Sequence, residues 1–193
     1  MQSLDDLIRE AETAHGHLCA GQILGVRLAM LGLTKLGIDD PRGKDRKRLI
    51  TFVEIDRCAT DAIGVVTGCR LGKRALKFRD WGKMAATFID LETGKAIRIA
   101  AKESSKKLAR EMHPEIENKN QQQMLAYREM KNDDLFSTQW VKVELPAEEF
   151  PGYKGERIVC AECGEGINFH REVERDGRVL CKACAGGRYY ELL

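Results

Sequence analysis

Residues 160–184 read CAECGEGINFHREVERDGRVLCKAC, in which Cys160, Cys163, Cys181 and Cys184 form two C-x2-C pairs separated by seventeen residues. Tetrahedral zinc takes four soft or borderline ligands, and each C-x2-C turn delivers two sulfurs to one ion. The four cysteines therefore read as the ligands of a structural zinc, with rubredoxin-like iron, plain buried thiols or a redox pair as the alternatives. Between the pairs, Ile167 to Glu174 and Arg178 to Cys181 flank Asp176-Gly177, a tight-turn dipeptide, which predicts a hairpin. The second pair is expected to open a short helix. A unit of roughly 40 residues buries too little apolar surface to fold unaided. Zinc would make up the difference, on the order of 10–16 kcal/mol in comparable peptides. His170 lies between the pairs and reads as a surface residue, because four cysteines already complete the shell. From Lys154 to Leu193 seven basic side chains balance seven acidic ones. A duplex-binding module carries a basic face, so nucleic acid is an unlikely partner and protein contact, through Tyr189 and Tyr190, is the better expectation.

The chain as a whole has 193 residues, 43% apolar and 32% charged, enough to build a packed core and to exclude general disorder. With 32 basic and 30 acidic side chains, no overall field recruits nucleic acid or a membrane. No apolar run approaches the roughly 18–20 residues of a membrane span. The opening MQSLDDLIREAE is acidic and amphipathic rather than signal-like, so a cytoplasmic location is expected. Reduced thiols go with that location, which favours metal binding or thiol chemistry over disulfides.

Upstream of the cysteine tail the pattern mixes helices and hairpins. Ser3 and Asp6 form a capping box before Leu4, Leu7, Ile8 and Ala11, and Ile23 to Leu36 is apolar almost all round, as in a buried central helix. Leu49 to Ile55, Ala75 to Trp81, Met84 to Leu91, Ala96 to Ala101 and Phe136 to Leu145 read as strands. Ala59 to Thr67, Ser104 to Met112 and Lys119 to Lys131 read as helices. This order predicts an α+β domain over residues 1–150, with a mixed sheet of about five strands flanked by helices, and a small domain over 151–193 beyond Pro146, Pro151 and Gly152.

A second concentration of ligands lies in HGHLCAG, where His15, His17 and Cys19 fall within five residues at the entry to the buried helix. A thiol at a helix start is expected to ionise readily. Cys58 follows the first strand, where loops commonly build sites. His17, Cys19 and Cys58 together have the composition of a zinc site with three protein ligands and an open position, and are the candidate catalytic or metal residues. The bland alternative makes Cys58 and Cys69 small buried hydrophobes and the histidines loop caps. Asp56 and Asp61 flank Cys58 as partners of the ligands, as bases or as helix caps, the last being the commoner use of aspartate there. TGCRLGKR fails as a phosphate loop, since Arg74 stands where Ser or Thr must hold magnesium. Even so, Arg70 to Lys83 carries six basic residues against Asp80, and beside the Cys19 site such a face would attract an anion; a solvated surface is the alternative.

HGHLCAGQILGVRLA, DRCATDAIGVVTGCRLGKRALKFRDWGKMAATF and the four-cysteine tail together resemble the E-subunit family of formylmethanofuran dehydrogenase, through residues 15–88 and again 160–184. One departure is Ala20, where the family usually has proline. The resemblance implies a thioredoxin-like core, a homodimer, a treble-clef zinc finger as in some members, and a metal site mapping onto His17, Cys19 and Cys58. A second zinc or another transition metal would occupy that site beside the structural zinc of the finger. Members can be encoded beside the molybdenum or tungsten enzyme that reduces carbon dioxide to formylmethanofuran in methanogens, which makes oxidoreductase components candidate partners. The chain shows neither a molybdopterin site nor a cysteine ladder for iron–sulfur clusters, so it is not the whole redox enzyme. An accessory metal-binding protein, a stand-alone enzyme using the open site or the Cys19 thiolate, and a finger-based nucleic-acid regulator are the three functional readings.

Overall fold

Helix α1 (Leu4–His15) starts at its predicted cap, with the Asp6 amide donating to Ser3 Oγ at 3.2 Å, and stops where Gly16 turns to φ 91°. Helix α2 (Ala20–Leu36) buries residues on all sides and ends at Gly37. There follow β1 (Leu49–Val53), α3 (Cys58–Thr67), β2 (Leu76–Phe78), β3 (Ala85–Asp90), β4 (Ala96–Ala101), α4 (Ser104–Met112), α5 (Lys119–Glu129), the short α6 (Asn132–Leu135) and β5 (Phe136–Val141). This is a computed structural model describing residues 2–191 and 193, and it divides into two compact units, Met1–Val143 and Glu144–Leu193. The division thus falls a few residues before the Pro151-Gly152 turn.

The first unit holds one five-stranded mixed sheet in the order β2-β1-β3-β4-β5. β1 and β2 run parallel across the α3 crossover, and every other neighbour is antiparallel. A β-α-β unit joined to a β-β-α unit in this order is the thioredoxin-like arrangement. Four strands are shorter than the sequence suggests, β1 and β3 by two residues each and β2 and β5 by four each, and the latter two stop because their partners run out. β2 meets β1 only over Leu76 to Phe78, and β5 loses its neighbour beyond the Ala96–Val141 pair. Helix α5 stops at Glu129 because Met130 and Lys131 turn extended before α6.

The core lies between the sheet and α2, where Ile23, Leu28 and Leu33 meet Phe88, Ile97 and Ile99, all fully buried. Two glycines let α2 sit this close. A Cβ on Gly32 would stand 2.3 Å from the Phe88 ring, and one on Gly25 would stand 2.4 Å from the Ala59 carbonyl oxygen of α3. Charge pairs lock the sheet's other features. Arg48 donates to both oxygens of the fully buried Asp90, at 3.2 and 2.9 Å, and Asp90 also accepts from Thr93 Oγ1 at 2.8 Å in the β3–β4 turn. Arg98 of β4 forks onto Glu54 with two bonds of 2.7 Å.

The second unit contains two small hairpins, β6 (Ile158–Val159) with β7 (Gly166–Ile167) and β8 (Val173–Arg175) with β9 (Arg178–Leu180), then one π-helical turn, Ala183–Gly187. Asp176 and Gly177 both take positive φ, 52° and 69°, as a two-residue hairpin turn requires. Ile167 belongs instead to the first hairpin, opposite Ile158, so the long strand read from Ile167 to Glu174 is broken. The break falls at Phe169 and His170, both at positive φ, with His170 held by the Tyr153 hydroxyl at 2.8 Å.

Because the Gly25 contact is with backbone and the Gly32 contact with a ring, Gly25→Ala should cost more than Gly32→Ala. Overpacking of this kind typically costs about 1–3 kcal/mol, and each kcal/mol lowers the thermal midpoint by about 2–4 °C in a chain of this size. Equal midpoints in both variants and wild type would contradict the packing. Burial alone would push the Asp90 carboxyl up, but Arg48, Thr93 and the Glu92 amide outweigh it and hold the group below the usual carboxylate range. A lowered native pKa stabilises above the unfolded value, about 3.9, and the gain is lost as pH falls through the native value. Asp90→Asn should therefore flatten the acid limb of a stability–pH profile; an unchanged limb would contradict this.

Candidate metal centres

In the finger the four sulfurs of Cys160, Cys163, Cys181 and Cys184 all lie within 4.8 Å of one another, and Cys163 and Cys181 are 3.9 Å apart. Zinc–sulfur bonds of about 2.3 Å at tetrahedral angles set sulfurs about 3.8 Å apart, so the cage fits the ion. The first pair sits in the β6–β7 turn, closed by Gly164 at φ 73° donating to the Cys160 carbonyl at 3.0 Å. The second pair opens the π-helical turn, where the Cys184 amide donates to Cys181 Sγ at 3.4 Å. Hairpin knuckle, second hairpin and terminal helical turn make a treble clef. Among the described residues only Cys160, Ile167 and Leu180 form its buried cluster, too little to hold the unit without metal.

Within the folded cage the thiols are not equivalent. Backbone amides of Cys163, Cys181 and Glu162 bring Cys160 down to about 6, and the Cys181 amide reaches its sulfur at 3.2 Å. Burial, and then the neighbouring Cys181 thiol, push Cys184 up to about 12. Arg188 donates to Cys184 Sγ at 3.7 Å and faces Glu162 at 3.7 Å.

The second cluster lies in the first unit, at the entry to α2. His15, His17 and Cys19 place their ligand atoms within 4.8 Å of one another. His15 ends α1 and Cys19 caps α2, so the tight turn through Gly16 folds the HGHLC segment back on itself. The imidazoles of His15 and His17 stand 4.7 Å apart, tilted by 45°. Asp61, in the first turn of α3, meets His15 Nδ1 at 2.8 Å, which leaves Nε2 as the free donor atom of that ring. The donor set of two imidazoles and one thiol, with a carboxylate behind one imidazole, fits a borderline transition metal and leaves a fourth position open.

Cys58 opens α3 and stands beside Cys19, outside the set that lies within 4.8 Å. Burial, then the Cys19 thiol, and more weakly Asp61, push its thiol up. A Cβ on Gly21 would crowd Cys58 Cβ at 3.2 Å and meet Cys19 Sγ at an ordinary contact distance of 3.6 Å, so Gly21 leaves room for the two thiols. Gln22, fully buried, donates to the Cys58 carbonyl at 2.7 Å, and Asn120 accepts from the Ala20 amide at 3.1 Å. Neither contact is visible in sequence, since their partners lie 36 and 100 residues away. Cys69 is buried in the core beside Thr51, and burial raises its thiol pKa. Asp56 lies outside the cluster, and the carboxylate behind the ligands is Asp61 alone among the described residues.

Zinc takes cysteine as thiolate, whereas the cysteines of the unfolded, metal-free finger are ordinary thiols with a pKa of about 8.5, so zinc uptake should release protons, and affinity should fall as the pH drops. Calorimetry in two buffers of different ionisation enthalpy should give a net release of at least about one proton per zinc; no buffer dependence would contradict the assignment. Chelation should unfold the finger while leaving the helical circular dichroism, which comes from the first unit, nearly intact.

The family profile described as "FmdE, Molybdenum formylmethanofuran dehydrogenase operon" matches residues 14–137, and that of the "Prokaryotic dksA/traR C4-type zinc finger" matches residues 153–190. A protein of Archaeoglobus fulgidus described as a "Probable S-adenosyl-L-methionine-binding protein" is 31% identical over 96% of this chain. The chain spans 54% of that relative's length. The crystal structure of a tungsten formylmethanofuran dehydrogenase FmdE-like protein from Syntrophus aciditrophicus superposes with a TM-score of 0.65, covering 98% of this chain and 96% of that one at 20% identity, which is likeness of fold. With the profile spanning most of the first unit and starting at the histidine–cysteine turn, the chain belongs to the FmdE family and is a metal-binding protein that carries a C4-type zinc finger.

Proposed function

We propose that the chain is an accessory protein of molybdenum- or tungsten-dependent one-carbon metabolism in anaerobes, holding a second transition metal at His15, His17 and Cys19. The observation that carries this reading is the placement of three donor atoms within 4.8 Å on a scaffold of the FmdE family. Cys58 stands next to Cys19 as an exchangeable fourth donor. Asp61 accepts the Nδ1 proton of His15 and so fixes the tautomer that presents Nε2. A metal with an open position supplies Lewis acidity or a seat for an exchanging ligand. Partners on this reading are a second copy of the chain and oxidoreductase components, with the cytoplasm as the site of action. Among the described residues no helix is long and apolar enough to cross a membrane.

A stand-alone enzyme is the second reading, favoured by that open position and by Cys58 beside it. A nucleic-acid regulator is disfavoured by the balanced charge of the finger.

Anaerobically purified protein should carry two metal equivalents, falling to one in Cys19→Ala. Asp61→Asn should weaken the first site about 10- to 100-fold, the usual effect of losing a ligand's supporting hydrogen bond. One equivalent in wild type, with Cys19 inert to alkylation, would remove both the metal and the catalytic readings. Affinity capture from native extract should recover an oxidoreductase component; its absence counts against the accessory role.

A further inference from the structure

Beside the His15–Asp61 pair, a cleft of about 320 Å³ opens between the end of α1, the first turns of α3 and the segment from Cys69 to Leu76. Ala14, the residue before His15, and Asp61, which holds the His15 ring, both line it. Its walls are mainly apolar, from Val65, Leu71 and Leu76, and Leu71 keeps 65% of its surface exposed at the rim. Arg70 also lines the cleft, and among the described residues it makes no ion pair. The acid of the cleft, Asp61, is turned to His15 at 2.8 Å. Arg70 is exposed, and a single guanidinium at the rim of an apolar cleft is a fork for one carboxylate. Asp61 nearby disfavours a doubly charged group such as phosphate.

We propose that this cleft binds a small organic carboxylate, its charged end on Arg70 and its apolar body against Val65, Leu71 and Leu76. For what happens to the bound molecule, this rests on the metal reading above, since Asp61, which lines the cleft, is the partner of His15. For binding alone it does not. Of the basic run from Arg70 to Lys83, readable in sequence as solvated surface or as an anion attractor, Arg70 is the residue that lines the cleft.

The test is amide-detected NMR titration of the full zinc-loaded chain with benzoate. Saturable shifts should concentrate on Gly64, Val65, Leu71 and Gly72. Arg70→Met should raise the benzoate Kd by about tenfold or more, the loss of one charge-assisted fork, and Arg70→Lys should restore part of it. Benzyl alcohol should give no saturable shifts. Cys19→Ala should bind benzoate as wild type does, so a failed metal site and a failed cleft give different results. Absence of saturation, equal binding in Arg70→Met, or inorganic phosphate binding as well as benzoate would each overturn the proposal.

Discussion

The first unit is organised by one contact, the approach of α2 to α3 at Gly25, where the Ala59 carbonyl leaves no room for a side chain. Pressed together there, the two helices bring their amino termini side by side. Cys19 caps one and Cys58 opens the other. Gln22 spans the gap to the Cys58 carbonyl, and Asp61 reaches back to His15. The cluster therefore depends on backbone proximity, and the chemistry of HGHLC is completed by residues of α3.

The two cysteine-bearing sites obey opposite physics. The finger has three buried residues in its cluster and two hairpins of two or three residues per strand, so its metal is part of its folding. The amino-terminal cluster sits on a scaffold with an extensive apolar core of its own, from Leu7 to Phe136. Ligands held by a finished core cost little to organise, and a metal held there on the proposed reading could leave without unfolding the unit. Exchange of metal or ligand, rather than structural support, is the chemistry that this difference favours.

Much of this is legible in sequence because it is local. The all-round apolarity of Ile23 to Leu36 marks α2, the Ser3 cap marks α1, and Ala96 to Ala101 and Ser104 to Met112 coincide with β4 and α4. The spacing of the four finger cysteines marks a metal-binding knuckle pair before any fold is known, with zinc read ahead of iron. What cannot be read is the long-range placement. Ile158 pairs with Ile167 through strands of only two residues, below any periodicity signal. Asp61 has equal claims in sequence as a helix cap and as a partner of the ligands, and only packing of α1 and α2 on α3 sets it 2.8 Å from a histidine 46 residues away. Composition likewise groups Cys58 with His17 and Cys19, whereas the tight set contains His15, with Cys58 beside it.

The central claim is that His15, His17 and Cys19 hold a metal distinct from that of the finger. X-ray absorption at the K-edge of cobalt-reconstituted protein addresses it directly, because an imidazole ring gives outer-shell scattering that a thiolate lacks. The account predicts a mixed average shell, sulfur near about 2.3 Å with nitrogen near about 2.0–2.1 Å and imidazole scattering beyond, taking the zinc bond lengths for cobalt. A shell of sulfur alone would contradict it.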